Sequence, residues 1–570
     1  FEKIIRGINF KKMMVCESSG FTFARPIRNI VALYGSKVVR LSVAGVKSQS
    51  KTPGLYVISS KKVKITEPKK YLSILRNNYI IADQKKRAEI IKELTQQVLK
   101  KISRPAPQPA LTDDLLQEIN FLVESPVAML CSFDEKYLFL PEEIIVNCIR
   151  KQKFIPVYSA EKISNYFVGI RNGISEHQET VRDGYQKVLT ARLSDAEYFF
   201  NTDLKAPLYD RYKRLVEITF QEKLGTMQDK TQRIEELALW IYHALPHDFP
   251  GKDGKSLEDV LRTASLCKTD LLTSLVYEYP ELEGIAGRIY ADFSGENKLV
   301  AEGIEEHYLP LSSQGKLPET ITGTVVSLAD KIDTLVGDFA VGLIPSGSAD
   351  PYALRRQAAG VIRIMIEKGA DISLKKLVLK AMDLLPATLI SEREKVIDLL
   401  FDFFRQRFET ILQERGFKFD EIRAVLSCGF ERPSDALKRL EALSAIRREN
   451  DFAPLISGYK RAANIVRQAQ QKNISFNKDG AVQEVLLKEE EEKTLYQLVI
   501  KIESGITPLL EERNYHNVLL RLVSLRTPID TFFEKVMVMA DDPEIRANRL
   551  SLLKKIVFLF LKIADLSLLQ

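Results

Sequence analysis

Cysteine is scarce and scattered: five residues (Cys16, Cys131, Cys148, Cys267 and Cys428) lie far apart, with no C-x-x-C pair anywhere. An odd number at such spacing excludes a disulfide framework and a zinc ribbon, and it predicts reduced thiols in a cytoplasmic protein. Long apolar runs are missing too. The greasiest, Ile556 to Leu561, is bounded by Lys555 and Lys562, far short of the roughly 18 residues a membrane span needs. There is no Walker A loop to cradle phosphates. Charge of either sign is not in great excess: 83 basic against 76 acidic residues leave +7, too little to announce a polyanion partner unless the cations cluster. The chain opens at Phe1 rather than Met, so a longer natural chain is expected.

What is present fills several cores. At 570 residues, roughly three or four domains are expected. Up to about Tyr158, short β-branched runs alternate with turns. Ile30 to Tyr34, Lys37 to Val43, Leu55 to Ile58 and Val63 to Ile65 read as strands, broken by Gly35, Gly45 and Pro53. A charged helix, Lys85 to Ile102, ends at Pro105, Pro107 and Pro109, and another is predicted over Thr112 to Leu122. From about Asn165 strand signals fade and helical periods dominate, including the segment with the only tryptophan, Trp240. The fold class is therefore α+β, mostly α.

The most informative stretch is Val325 to Gly369. Leu328, Ile332 and Leu335 form an apolar stripe beside Asp330, Lys331 and Asp333. Gly342, Pro345, Gly347 and Pro351 then impose a turn, and Tyr352 to Lys368 reads as a second helix with Leu354, Ala358, Val361, Ile362 and Met365 inward. Arg355 and Arg356 open that helix, where the macrodipole disfavours cations. A partner for them is implied, and Asp350 is placed to cap the helix.

The run LADKIDTLVGDFAVGLIPSGSADPYALRRQAAGVIRI closely resembles the most characteristic segment of the β subunit of bacterial tetrameric glycyl-tRNA synthetase. FTFARPIRNIVALYGSKVV, VMVMADDPEIRANRL and IADLSLLQ follow the same family in the same order. The resemblance spans nearly the whole chain, as an N-terminally truncated β subunit or the β half of a fused chain. It implies four parts: 1–164, an α+β domain like the β-rich module of phenylalanyl-tRNA synthetase; 165–345, a degenerate HD-like helical domain; 346–455, a helical linker or body; and 456–570, a DALR-like anticodon-binding helical bundle. The sequence departs from its relatives at Ser48 to Val57 and at Lys151-Gln152, and no function is carried over there. The resemblance further implies an α subunit, separate or fused, in an α2β2-type assembly. That subunit activates glycine with ATP and Mg2+, while this chain binds tRNA-Gly, with no cofactor of its own, no DNA and no membrane. In agreement, no HIGH, KMSKS or class II arginine motif for adenylation is found, and no residue is assigned a catalytic role.

Three groups of residues are weighed against a plain structural reading. In HD-type phosphohydrolases a His-Asp pair and a later Asp hold metal. Here Thr269 stands in the histidine position beside Asp270, with His307 and Asp330 elsewhere, so a degenerate scaffold with polar networks and no metal is expected; a metal-dependent phosphohydrolase is the rival. For the anticodon, splayed bases call for arginines and aromatics. Arg521, Arg526, Phe533, Lys535, Arg546 and Arg549 are the candidates, with Phe532, Met537 and Leu550 read as core. Arg546 could instead pair with Asp541, and Lys460, Arg461 and Arg467 read as a solvated face, as does the acidic run Glu489 to Glu492. On the acceptor side, Arg192, Arg355 and Arg356 either contact phosphate or bridge helices through Asp195, Glu197 and Asp350. A structural RNA-binding module without catalytic role is the second rival.

Overall fold

The computed structural model describes all residues except 11, 17–19, 57, 59–60, 101, 103–106, 348–349, 390–391, 449–451 and 478–480. Pro105 and Val57 of the segments above therefore lie outside the described residues. Two compact units are formed, Phe1–Lys205 with Thr273–Leu282, and Ala206–Leu272 with Glu283–Gln570.

The first unit opens with short strands. Ile30–Val31, Val46–Gln49 and Ser42–Val43 make a small three-stranded sheet, and Lys51–Pro53 pairs with Lys62–Lys64. Leu55 and Tyr56, expected in a strand, lie in the connection between those two strands. Beyond them stands an antiparallel sheet of β1 (Gln108–Pro109), β2 (Pro126–Ser132), β3 (Ile155–Ser159) and β4 (Lys162–Asn172), in the order β1-β3-β4-β2. Alternation along β2 and β4 divides their side chains between two faces. Helices α1 (Gln84–Leu99) and α2 (Asp113–Leu122) bury Ile91, Leu115 and Ile119 with Ala128, Ile155 and Val168. On the other face Phe154 meets the rings of Phe167 and of Tyr185 on α4 (Gln178–Asp203), each with centroids 4.9 Å apart. α3 (Glu142–Lys151) lies between β2 and β3 in the chain. The boundary expected at 164/165 falls inside β4, because Tyr166 to Asn172 pair with β2 and bury Phe167 and Val168. α4 likewise belongs to this unit.

The second unit is helical. α5 (Met227–Ala244) and the helices Ser256–Leu266 and Lys298–Glu306 pack on α6 (Ile321–Ala340), and Ile285–Phe293 packs on Lys298–Glu306. Every residue of α6 from Ile321 to Phe339 is buried. This corrects the expectation of an apolar stripe beside a charged face, because neighbours cover the charged side as well. After a turn come α7 (Leu354–Glu367) and α8 (Arg393–Glu414). Asp350 does cap α7, accepting from the N–H of Leu354 at 2.8 Å and of Arg355 at 3.1 Å. The C-terminal bundle comprises α9 (Phe452–Gln471), α10 (Glu490–Glu511), α11 (Tyr515–Val523), α12 (Arg526–Lys535) and α13 (Pro543–Leu561). Trp240, on α5, packs half-buried against the core of this unit.

Close helix approach around α6 requires small residues. A Cβ added to Gly303 would sit 2.6 Å from Thr322 Oγ1 and 2.9 Å from Thr263 Cγ2, both on packed neighbours. Gly303→Ala is expected to destabilise the helical unit by about 1–3 kcal/mol through overpacking, read as a lower melting temperature with an unchanged helical circular-dichroism spectrum.

Candidate nucleic-acid interface

Burying α6 on all sides forces its ionic groups to find partners, since an unpaired charge in that setting costs several kcal/mol. Asp330 meets Lys230 at 2.9 Å and Lys268 at 3.0 Å. Asp333 meets the same Lys230 at 3.0 Å and Arg233 at 2.6 Å. Burial pushes the Asp330 carboxyl up, but Lys230 and Lys268 outweigh it and hold the group well below the usual carboxylate range. Among the described residues Lys331 has no carboxylate partner; it donates to His307 carbonyl at 3.0 Å and Ser327 hydroxyl at 2.8 Å, and burial brings its ammonium down to about 7.

The HD-like positions sit here. Thr269 is buried and donates to the Leu266 carbonyl at 2.6 Å. Asp270 is buried, accepts from the Gly284 N–H at 2.7 Å, and is pushed up to about 7 by burial. His307 places Nδ1 2.5 Å from the Ile304 carbonyl and Nε2 2.9 Å from Lys268 Nζ. Burial and then Lys268 hold its pKa well below the ordinary value, so the neutral ring accepts a hydrogen bond from the Lys268 ammonium. The donor set does not fit a divalent ion, because the Lys268 ammonium is lodged between His307 and Asp330, the two groups that would share the metal. Among the described residues no three His, Cys, Asp or Glu side chains converge as a ligand set.

The C-terminal bundle separates the anticodon candidates. Arg521 is exposed on α11 and donates to the Gly505 carbonyl at 2.9 Å. Arg526 opens α12 half-buried, and Lys535 closes it, exposed, 2.7 Å from Glu491. Arg546 donates to the carbonyl of Ala540 at 3.0 Å rather than to the Asp541 carboxylate. Two candidates turn inward. Arg549 is 7% exposed, 2.5 Å from Glu492 Oε1 and 2.8 Å from the Met537 carbonyl. Phe533 is 8% exposed, packed edge-on to Phe532 with the Arg461 guanidinium 4.4 Å from its ring centre. Both are corrected from base contacts to packing groups, because an arginine with a buried carboxylate partner and a ring in the core present nothing to RNA.

Neighbouring expectations shift with them. Glu492 is wholly buried, and its other oxygen accepts from the N–H of Lys488 and Glu489, so the acidic run is solvated only in part. Met537, read as core, is 75% exposed while Val536 and Val538 are buried; the chain is extended beyond α12 and side chains alternate. Lys460 and Arg467 do not simply face solvent, since they reach the Leu569 carbonyl at 2.6 Å and the Ser567 hydroxyl at 3.4 Å.

Of the acceptor-side candidates, Arg192 lies 3.5 Å from Glu278 and 3.9 Å from Asp195, the helix-bridging arrangement. Arg355 donates to the Gly347 carbonyl at 2.7 Å and Arg356 to the Leu311 carbonyl at 3.2 Å. Arg356 also borders a cavity of about 330 Å³ with Lys230, Lys268, Lys331 and Tyr308. Arg355 and Arg356 both border a second cavity, of about 440 Å³.

A family model described as glycyl-tRNA synthetase beta subunit matches residues 1–427, and one described as DALR anticodon binding domain matches residues 455–565. The chain belongs to the glycyl-tRNA synthetase β-subunit family. Among its relatives, the glycine--tRNA ligase beta subunit of Desulforamulus reducens is 40% identical over 99% of this chain and 79% of its own length. Those of Moorella thermoacetica and Syntrophus aciditrophicus are 39% and 37% identical, each over 99% of this chain and 80% of their length. The match to the DALR anticodon binding domain begins within α9.

Sequence reasoning missed Lys230, Arg233, Lys268 and Glu492. Lys230 and Arg233 stand three apart on α5, one helical face of like charge, and that spacing was the available signal for a buried acidic partner. Nothing local marks Glu492.

Two outcomes follow. Glu492→Ala and Arg549→Ala should each destabilise the bundle by roughly 3–5 kcal/mol, and the double variant should cost far less than their sum, measured by denaturant unfolding in a double-mutant cycle. The folded-state pKa of Asp270 is raised to about 7, so its contribution to stability is full below the unfolded value of roughly 4 and is lost as pH rises through 7. Asp270→Asn should therefore gain stability relative to the parent between pH 5 and pH 8; an equal difference at both pH values would refute the assignment.

Proposed function

We propose that this chain is the tRNA-binding partner in glycine–tRNA ligation, holding tRNA-Gly while glycine is activated elsewhere in the complex. The observation that carries this reading is the C-terminal helical bundle, where a DALR anticodon-binding match coincides with cations at its surface, Arg521, Arg526, Lys535 and Arg546. Their forks and ammonium groups suit splayed bases and backbone phosphates, whereas Arg549 and Phe533 support the bundle from inside. Arg355 and Arg356 are the acceptor-side candidates that remain after Arg192 is committed to Glu278 and Asp195.

In this reading the α subunit makes glycyl-adenylate from ATP with Mg2+, two copies of each subunit assemble in the cytoplasm, and this chain supplies orientation. Binding energy spent far from the reacting atoms then acts by positioning the terminal ribose. No helix of the described residues is long and apolar enough to cross a membrane. The lysine-filled HD-like centre favours a supporting scaffold over phosphohydrolase chemistry.

Affinity for tRNA-Gly and for a non-cognate tRNA, measured over a salt series, tests the proposal. A cognate preference should persist as salt rises, and Arg521→Ala or Arg526→Ala should weaken it by about 1–3 kcal/mol if bases are read. Addition of the α subunit should then yield glycyl-tRNA. Equal binding of both RNAs with one steep salt slope would remove anticodon reading from this chain.

A further inference from the structure

A second cavity, of about 440 Å³, lies between α7 and α8. Its wall carries five guanidinium groups, from Arg355, Arg356, Arg363, Arg407 and Arg415, against the carboxylates of Glu367 and Glu414. Two of the five share one carboxylate, Glu367. Arg363 is paired with Glu367 at 3.0 Å and spends its remaining fork on the carbonyls of Ser313 and Gly315, both at 2.9 Å, while Arg415 reaches Glu367 at 2.9 Å. Arg356 donates to the uncharged Leu311 carbonyl, which orients a guanidinium without cancelling its charge, and Arg355 places one terminal nitrogen on the Gly347 carbonyl.

Arg407 is the least compensated. One of its terminal nitrogens donates to the side-chain oxygen of Gln406 at 3.3 Å, and its guanidinium stands 5.4 Å from the ring centre of Phe403. Its Nε is buried and has no hydrogen-bond partner among the described residues. Burial and then the nearby Arg355 both push the Arg407 pKa down, and only Asp350 pulls the other way; that carboxylate is already accepting from the first N–H groups of α7. Like charges gathered around a cavity, with an orphaned donor at its edge, are costly unless an anion fills it. Planar guanidinium forks match the tetrahedral oxyanion of phosphate better than a point charge would.

We propose that this cavity is a phosphate-binding site, with Arg407 as its central ligand and Arg355 and Arg356 beside it. The phosphate group comes either from a free anion, such as inorganic phosphate or pyrophosphate, or from an RNA backbone; the site itself does not depend on the anticodon reading.

The test uses the whole chain, the variants Arg407→Gln and Arg407→Lys, and Arg405→Gln as a control, since Arg405 pairs with Asp402 on the same helix. Calorimetric titration with phosphate and with pyrophosphate at low ionic strength, and tRNA affinity across a salt series, are compared. One-site binding of a free anion, weakened at least about tenfold in Arg407→Gln and unchanged in Arg405→Gln, identifies a free-anion site. Absence of free-anion binding, with tRNA affinity falling about fivefold and the salt slope shallower by about 1 in Arg407→Gln, assigns the site to a backbone phosphate. Neither change, in a variant that melts like the parent, overturns the proposal and leaves tRNA binding by the C-terminal bundle untouched. Should Arg407→Gln not fold, Arg407→Lys decides, because it keeps the charge, loses the fork and should retain only part of either effect.

Discussion

The structure of the helical unit depends on burying a charged helix. α6 presents no residue to solvent from Ile321 to Phe339, yet it carries Asp330, Lys331, Asp333 and Asp338. Hydrophobic burial alone would be satisfied by many rotations of such a helix against its neighbours. Ion pairing is not, because Lys230, Arg233 and Lys268 must all reach their carboxylates at once. Buried pairs add little net stability, so their effect here is to select one register among otherwise acceptable packings. Asp338 shows the cost of incomplete pairing: burial raises its carboxyl to about 6.

The C-terminal bundle follows the same rule at smaller scale. Arg549 and Glu492 lock α13 to the start of α10, and the buried Asn548 amide accepts from the Gln483 N–H at 2.7 Å and donates to the Gln483 carbonyl at 3.0 Å. Interior polar groups thus hold the segment around Gln483 and two helices in one arrangement, and the surface is left to Arg521, Arg526 and Lys535. Within one short block of sequence, then, similar residues have opposite tasks.

That division explains what could be read before the structure. Helix positions around Val325 to Gly369 were legible, because period and turn residues are local signals, and the Asp350 cap was legible for the same reason. The fate of single arginines was not. Arg549 and Arg546 are three residues apart in one helix, yet only Arg549 meets a buried carboxylate, and that partner stands 57 residues away in a run that looks fully solvated. Met537 differs for another reason: the chain beyond α12 is extended, so its side chain faces out between the buried Val536 and Val538. Thr269 was identified as a lost ligand position, but the cation beside it, Lys268, was passed over, although its ammonium sits between the two groups left behind.

The lone tryptophan has a use beyond packing. Trp240 belongs to the helical unit, half-buried on α5, and the strand-rich unit has no indole. Intrinsic fluorescence excited at the red edge therefore watches one half of the molecule, while tyrosine emission and circular dichroism average over both. Any gap between those signals during denaturation is a direct reading of whether the two units come apart together.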